Sequence, residues 1–360
     1  MTLAPLTPVT ALTTWQFAPL ASALLALLAA AYLAGVCAVR RPGRGWPAGR
    51  TAAFLAGLAV IAVATQGSTG AYDDVLFSAH MVQHLLLIMV APPLLVLGRP
   101  VTLLLHAARN PWHTRVKRVL RSPAVSFLTW PPFTVSLYAV VVLTTHLTPL
   151  MDLVLENEAA HDAEHAAYLV TGYLYFLPVI GSEPLRRRLT AFGRYLLLLV
   201  TAPVDLAAGV VLMLVPRELF PAYASADRPW GPSPLADLHA GGLIMIAGSN
   251  LVMTVVGVML AVSLARAGER AGDMAGERAG GRGAARQPLP PGASRRPCGT
   301  RREAPTDLDA YNAYLGSLDG SLGKASRPAR SLGKASRPAR SPGKASRPAR
   351  SLGKASRPVE

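Results

Sequence analysis

Apolar residues fall into seven long runs separated by short polar or basic stretches. The runs extend roughly from Phe17 to Val39, Thr51 to Gly67, Ser78 to Gly98, Ala124 to His146, His161 to Gly181, Tyr195 to Val215 and Asp237 to Ala265. A helix rising about 1.5 Å per residue crosses a bilayer core of roughly 30 Å in about 20 residues, so each run is long enough to span. The runs are continuously apolar, whereas a membrane β-barrel would alternate apolar and polar residues in shorter strands. The expectation is an all-α polytopic membrane protein, a seven-transmembrane-helix bundle. Pro92-Pro93 and Pro131-Pro132 interrupt the third and fourth runs and predict kinks that open space inside the bundle.

The pattern stops near Ala265. Residues 266–360 hold 20 of the 36 Lys/Arg but 8 of the 20 Asp/Glu, and the last forty residues are four copies of a ten-residue unit related to SLGKASRPAR. Such a unit cannot bury enough apolar surface to offset the entropy of ordering, which predicts a disordered basic tail. The expected organisation is an N-terminal segment 1–16, a membrane domain 17–265, and a tail 266–360 with its repeats at 321–360. A solvated linker is the plain reading of the tail, and anionic lipid is the other surface it suits. No nucleic-acid partner is expected.

Charge also orients the bundle. Arg40, Arg41, Arg44 and Arg50, then Arg99, Arg109, Arg115, Lys117, Arg118 and Arg121, then Arg186, Arg187, Arg188 and Arg194 all flank one side; Arg217 and Arg228 flank the other. The positive-inside rule then puts the N-terminus outside and the C-terminus in the cytoplasm, in a multi-pass plasma-membrane protein. The segment before the first run lacks a basic n-region, so a cleaved signal peptide is not expected. Two cysteines, Cys37 and Cys298, are too few for a disulfide framework or a thiolate metal site.

All eight histidines precede residue 240. His80 and His84 open the third run, His161 and His165 the fifth, and His239 the seventh, and odd-numbered spans all begin outside. Each H-x-x-x-H pair puts two imidazoles on one helix face, about 6 Å apart along the axis. Imidazole is the commonest transition-metal ligand, and a helix N-terminus favours its neutral, metal-binding form. Asp73, Asp74, Asp162, Glu164 and Asp237 lie at the same depth as partners for ring nitrogens or for arriving cations. Met81 lies beside His80 in sequence and Met245 six residues after His239, and thioether with imidazole suits Cu(I). The metal-ligand candidates are therefore His80, His84, His161, His165, Asp237 and His239. His146 reads as a lone interfacial residue, while His106 and His113 read as contacts with membrane lipid head groups. Asp205, mid-way along the sixth run, costs roughly 3 kcal/mol in a bilayer unless protonated, paired or wet.

Three segments together resemble the CtaG-type cytochrome c oxidase assembly factors of bacteria. They are FSAHMVQHLLLIMVAPPLLVLGRP from Phe77 to Pro100, HDAEHAAYLVTGYLYFLPVIG from His161 to Gly181, and Asp237 followed by Gly241-Gly242 and Met245. The resemblance covers residues 15 to 265 and departs from the family pattern at Leu177 and Ile246. It implies a non-enzymatic seven-helix factor that assembles a haem-copper oxidase, with copper delivery to the oxidase subunits. His80, His84, His161 and His165 match the family's paired positions, and Asp237 its acidic one. Two alternatives stand beside it: a membrane b-type haem protein with histidine axial ligands, and a copper transporter using Asp205. Lys117 is the one lysine before residue 266 and lies in a loop, so a retinal Schiff base is excluded. No nucleotide-binding or nucleophile motif supports an enzyme. Oligomeric state is open.

Overall fold

The computed structural model describes residues 4–40, 45–181, 183–187, 189–225 and 228–284, with side chains through residue 269. Every regular element among the described residues is a helix. The principal ones are α1 (Pro19–Val39), α2 (Ala48–Gln66), α3 (Phe77–Leu85, a π-helical turn Leu86–Val90, and Ala91–Leu97), α4 (Pro131–Leu147), α5 (Glu158–Ile180), α6 (Ala191–Leu214) and α7 (Pro234–Ala284). Short helices fill the connections, among them Pro100–Ala107, Trp112–Leu120 and Leu150–Glu156. The repeat tail lies outside the described residues.

Five helices are long and apolar enough to cross a membrane, and a sixth is reached if Pro131–Leu147 and Leu150–Glu156, bent by 75° at their break, form one span. The difference from seven lies in α5. It has 23 residues, but its opening turns carry Glu158, His161, Asp162, Glu164 and His165, which lower its hydropathy. At the other end of the chain, α7 runs on to Ala284, past the expected limit near Ala265. Residues 266–284 hold six Gly beside five Ala and four Arg, so the extension rests on propagation from a helix already nucleated by the apolar span and not on the segment's own propensity.

The two proline pairs behave differently. Pro131 and Pro132 open α4 rather than interrupting it, because proline's fixed φ and missing N–H suit a first turn; Pro123–Leu128 is a separate helix. Pro92-Pro93 follows the π-helical turn of α3. Pro92 has no N–H to offer the Ile88 carbonyl, the acceptor four residues back. That carbonyl faces Gly172 of α5, where an added Cβ would collide with it and approach the Pro92 ring to 2.7 Å. Glycine there lets α3 and α5 approach closely.

α3 is the central helix, packed against α2, α5 and α7. In its apolar window 67% of residues are buried, against 11% in α1, which lies at the periphery. The histidine pairs on α3 and α5 therefore face the interior, at the end of the bundle where both helices begin.

Candidate metal centre

On α5, His161, Glu164, His165 and Tyr168 follow the i, i+3, i+4, i+7 spacing of one helical face, and His80 and His84 form the facing pair on α3. The Nε2 atoms of His80 and His84 lie 2.9 Å apart. Glu164 Oε2 sits between them, 3.4 Å from His80 Nε2 and 3.3 Å from His84 Nε2. The rings of His80 and His161 stack at 5.3 Å and those of His161 and His165 lie 4.3 Å apart, so the two pairs form one cluster.

Asp73 joins it from the turn before α3. Its Oδ2 is 3.7 Å from His161 Nε2 and accepts a 2.8 Å hydrogen bond from Gln83, while its carbonyl accepts one of 2.7 Å from the Tyr223 hydroxyl. Burial pushes the Asp73 carboxyl up to about 7. Two ligand groups result, Asp73–His161–His165 and His80–His161–Glu164, each with one ligand atom per residue within 4.8 Å of the others. They share His161.

The cluster is buried yet unsatisfied. His80 Nδ1, His84 Nδ1, His161 Nε2, His165 Nε2 and both Glu164 oxygens have no hydrogen-bond partner in the protein. Each such group costs about 1–3 kcal/mol, so so many in one place mark a site shaped for something other than its own folding. The ring nitrogens and carboxylate oxygens fit a transition-metal cation, which takes their lone pairs directly.

Two expected ligands are engaged elsewhere. Asp237 accepts hydrogen bonds from the Phe77 N–H (2.7 Å) and Ser78 N–H (3.3 Å), and lies 3.8 Å from Arg228. It caps the start of α3, satisfying orphan donors of the helix that carries His80 and His84. His239 Nε2 lies 3.0 Å from the Val215 carbonyl at the end of α6. Both share the cluster's depth along the bundle, but their side chains are committed to helix ends.

His146 departs from its expected isolation. It is 2% exposed, its ring is 5.4 Å from that of His84, and its Nδ1 is 2.7 Å from the Val142 carbonyl. Tyr168 stacks on His84 at 3.9 Å and shares a 2.5 Å hydroxyl contact with Thr145. These groups wall the cluster on its inward side. Nothing in local spacing signals His146, since its neighbours come from other helices; only its depth could have suggested it. Met81 packs on Gly241 of α7.

An uncharacterized protein of Mycobacterium bovis and one of Mycobacterium tuberculosis are each 35% identical over 260 residues, and one of Mycobacterium leprae is 32% identical over 259. Each match covers 69% of this chain and 39% of the relative, so the chain spans about two fifths of the length of these curated relatives. No solved structure matches it. The model of the family described as cytochrome c oxidase caa3 assembly factor matches residues 30–267, which include the histidine cluster and the helices that position it; the chain belongs to that family.

Proposed function

We propose that the protein binds copper in the histidine cluster and hands it to a haem-copper oxidase during assembly, without catalysing a reaction of its own. The observation that carries this reading is the set of buried imidazole and carboxylate atoms with no hydrogen-bond partner in the protein, facing one another at one end of the bundle. With α5 counted as a span the bundle has seven, and the cation distribution supports an outer-face position for the cluster in the bacterial plasma membrane. Because the two ligand groups share His161, an ion can pass from one to the other by exchanging one or two ligands at a time. Such exchange suits cargo that must be released, since no step requires a fully uncoordinated ion.

The haem alternative draws less support. His80 and His161 stack at 5.3 Å with their planes 13° apart, which leaves no slot for a macrocycle between them. A bare ion needs only ring nitrogens and carboxylate oxygens, and the ligand atoms of His80, His161 and Glu164 lie within 4.8 Å of one another.

Cells lacking this protein provide the test, complemented with wild type or with His80→Ala/His161→Ala. Wild type restores oxidase activity and oxidase copper, whereas the double variant yields an oxidase with its haem bands but deficient in copper. Full restoration by the double variant, at equal membrane abundance, overturns the assignment.

A further inference from the structure

Deeper in the membrane domain lies a second polar layer that the histidine cluster does not use. Tyr138 on α4 precedes Thr145 by seven residues, and Tyr175 on α5 follows Tyr168 by seven, so this layer is two helical turns, about 10 Å, further along the bundle. At its centre is Asp205 of α6, 3% exposed, with both carboxylate oxygens 2.8 Å from the Tyr138 hydroxyl and with Ser249 of α7 also hydrogen bonded to it. Among the described residues no Lys, Arg or His forms an ion pair with Asp205. Hydroxyl donors orient a carboxylate but do not neutralise it, and in hydrocarbon a carboxylate persists only with a proton or a cation on it.

Two thioethers border the same layer. Met89 Sδ, from the π-helical turn of α3, is 3.9 Å from the Tyr138 hydroxyl. Met253 Sδ, from α7, is 4.0 Å from the Tyr175 hydroxyl, which also contacts Thr201 Oγ1 at 2.6 Å. The Tyr138 and Tyr175 rings lie 5.3 Å apart, joining the two halves. Thioether sulfur selects soft cations, and a single carboxylate balances a single positive charge. A π-helical turn inside a membrane helix is itself a frequent mark of a functional position.

We propose that Asp205, Met89 and Met253 form a second cation station within the membrane domain, which takes Cu(I) in exchange for a proton. The carboxyl O–H bond breaks, the proton leaves to solvent, and the carboxylate and thioethers coordinate the arriving Cu(I) with no change of oxidation state. The identity of the ion rests on the copper reading of the histidine cluster; the station itself rests on its own residues. Without an ion Asp205 carries a proton, and the station exchanges that proton for a soft cation held beside the two thioethers.

Equilibrium dialysis of purified full-length protein against Ag(I), a redox-inert stand-in for Cu(I), tests this in two backgrounds. Asp205→Asn keeps an acceptor for Tyr138, and should bind one Ag(I) fewer than wild type while eluting and unfolding like it. His80→Ala/His161→Ala should retain one Ag(I) with sulfur scattering in X-ray absorption, and adding Asp205→Asn should weaken that site at least tenfold. Met89→Leu with Met253→Leu should remove the sulfur signal. Ag(I) stoichiometry unchanged by Asp205→Asn in both backgrounds overturns the station, as does retained Ag(I) without sulfur ligation. Failure of the histidine reading looks different: copper content unchanged by His80→Ala/His161→Ala, whatever Asp205→Asn does.

Discussion

Two buried glutamates stand at opposite ends of α5 and are treated in opposite ways. Glu183, just past the helix, is 1% exposed; its Oε1 accepts the Val101 N–H at 3.0 Å, and its Oε2 accepts the Thr102 N–H at 2.9 Å and hydroxyl at 2.5 Å. Glu164, in the second turn, is 6% exposed, yet neither oxygen has a hydrogen-bond partner and its nearest polar neighbours are histidine ring nitrogens. A carboxylate served by N–H and O–H donors fastens the Pro100–Ala107 helix to the bundle. One facing imidazoles that can themselves donate lone pairs is the arrangement that the proposed copper site requires. Burial alone does not distinguish these two glutamates; the kind of neighbour does.

Substitutions at the two ends should therefore divide cleanly. Glu164→Gln should weaken copper binding by more than the roughly 10–100-fold that loss of an outer partner costs, because a ligand is removed. It should also lower the stability of the metal-free protein, since the close pairing of the carboxylate with the His80 and His84 rings is lost. Copper titration paired with thermal unfolding reads both effects, and unchanged affinity would erase the contrast with Glu183. At the other end, Glu183→Ala orphans the donors of Val101 and Thr102 and should lower stability by about 1–3 kcal/mol in denaturant, with copper affinity intact.

Asp237 sharpens the distinction, because it is a cap attached to the site's own helix. Asp237→Ala should cost about 0.5–2 kcal/mol of stability through the lost α3 cap and shift copper affinity by less than about tenfold. A complete loss of copper would make Asp237 a ligand after all. The smallest effect belongs to His239→Ala, where one hydrogen bond to the end of α6 is lost and copper stoichiometry should stay unchanged.

The same contrast explains how far the sequence could be read. Apolar run length located the helices, and the i, i+4 spacing correctly placed His80 with His84 and His161 with His165 on common faces. Depth along the bundle is also visible in sequence, but azimuth around it is not. Asp237 and His239 lie at the right depth and point to helix ends, whereas His146, at the same depth on α4, is turned inward beside His84. The role of Pro131 was similarly hidden, since a proline pair in an apolar run can kink one helix or start another; here the chain breaks at Thr129-Trp130, with Trp130 extended before α4, so the pair starts a helix. Glu164 could be placed among the histidines from spacing, but its lack of other partners is a tertiary fact.

The central claim is that the two histidine pairs form one copper-holding cluster. Metal analysis of detergent-purified protein expressed with added copper, comparing wild type with His80→Ala/His161→Ala, tests it most directly. The account predicts about one or two coppers per wild-type chain through nitrogen-rich coordination, and their loss from a variant that still elutes as folded protein. Copper retained at the wild-type level in that variant would contradict it.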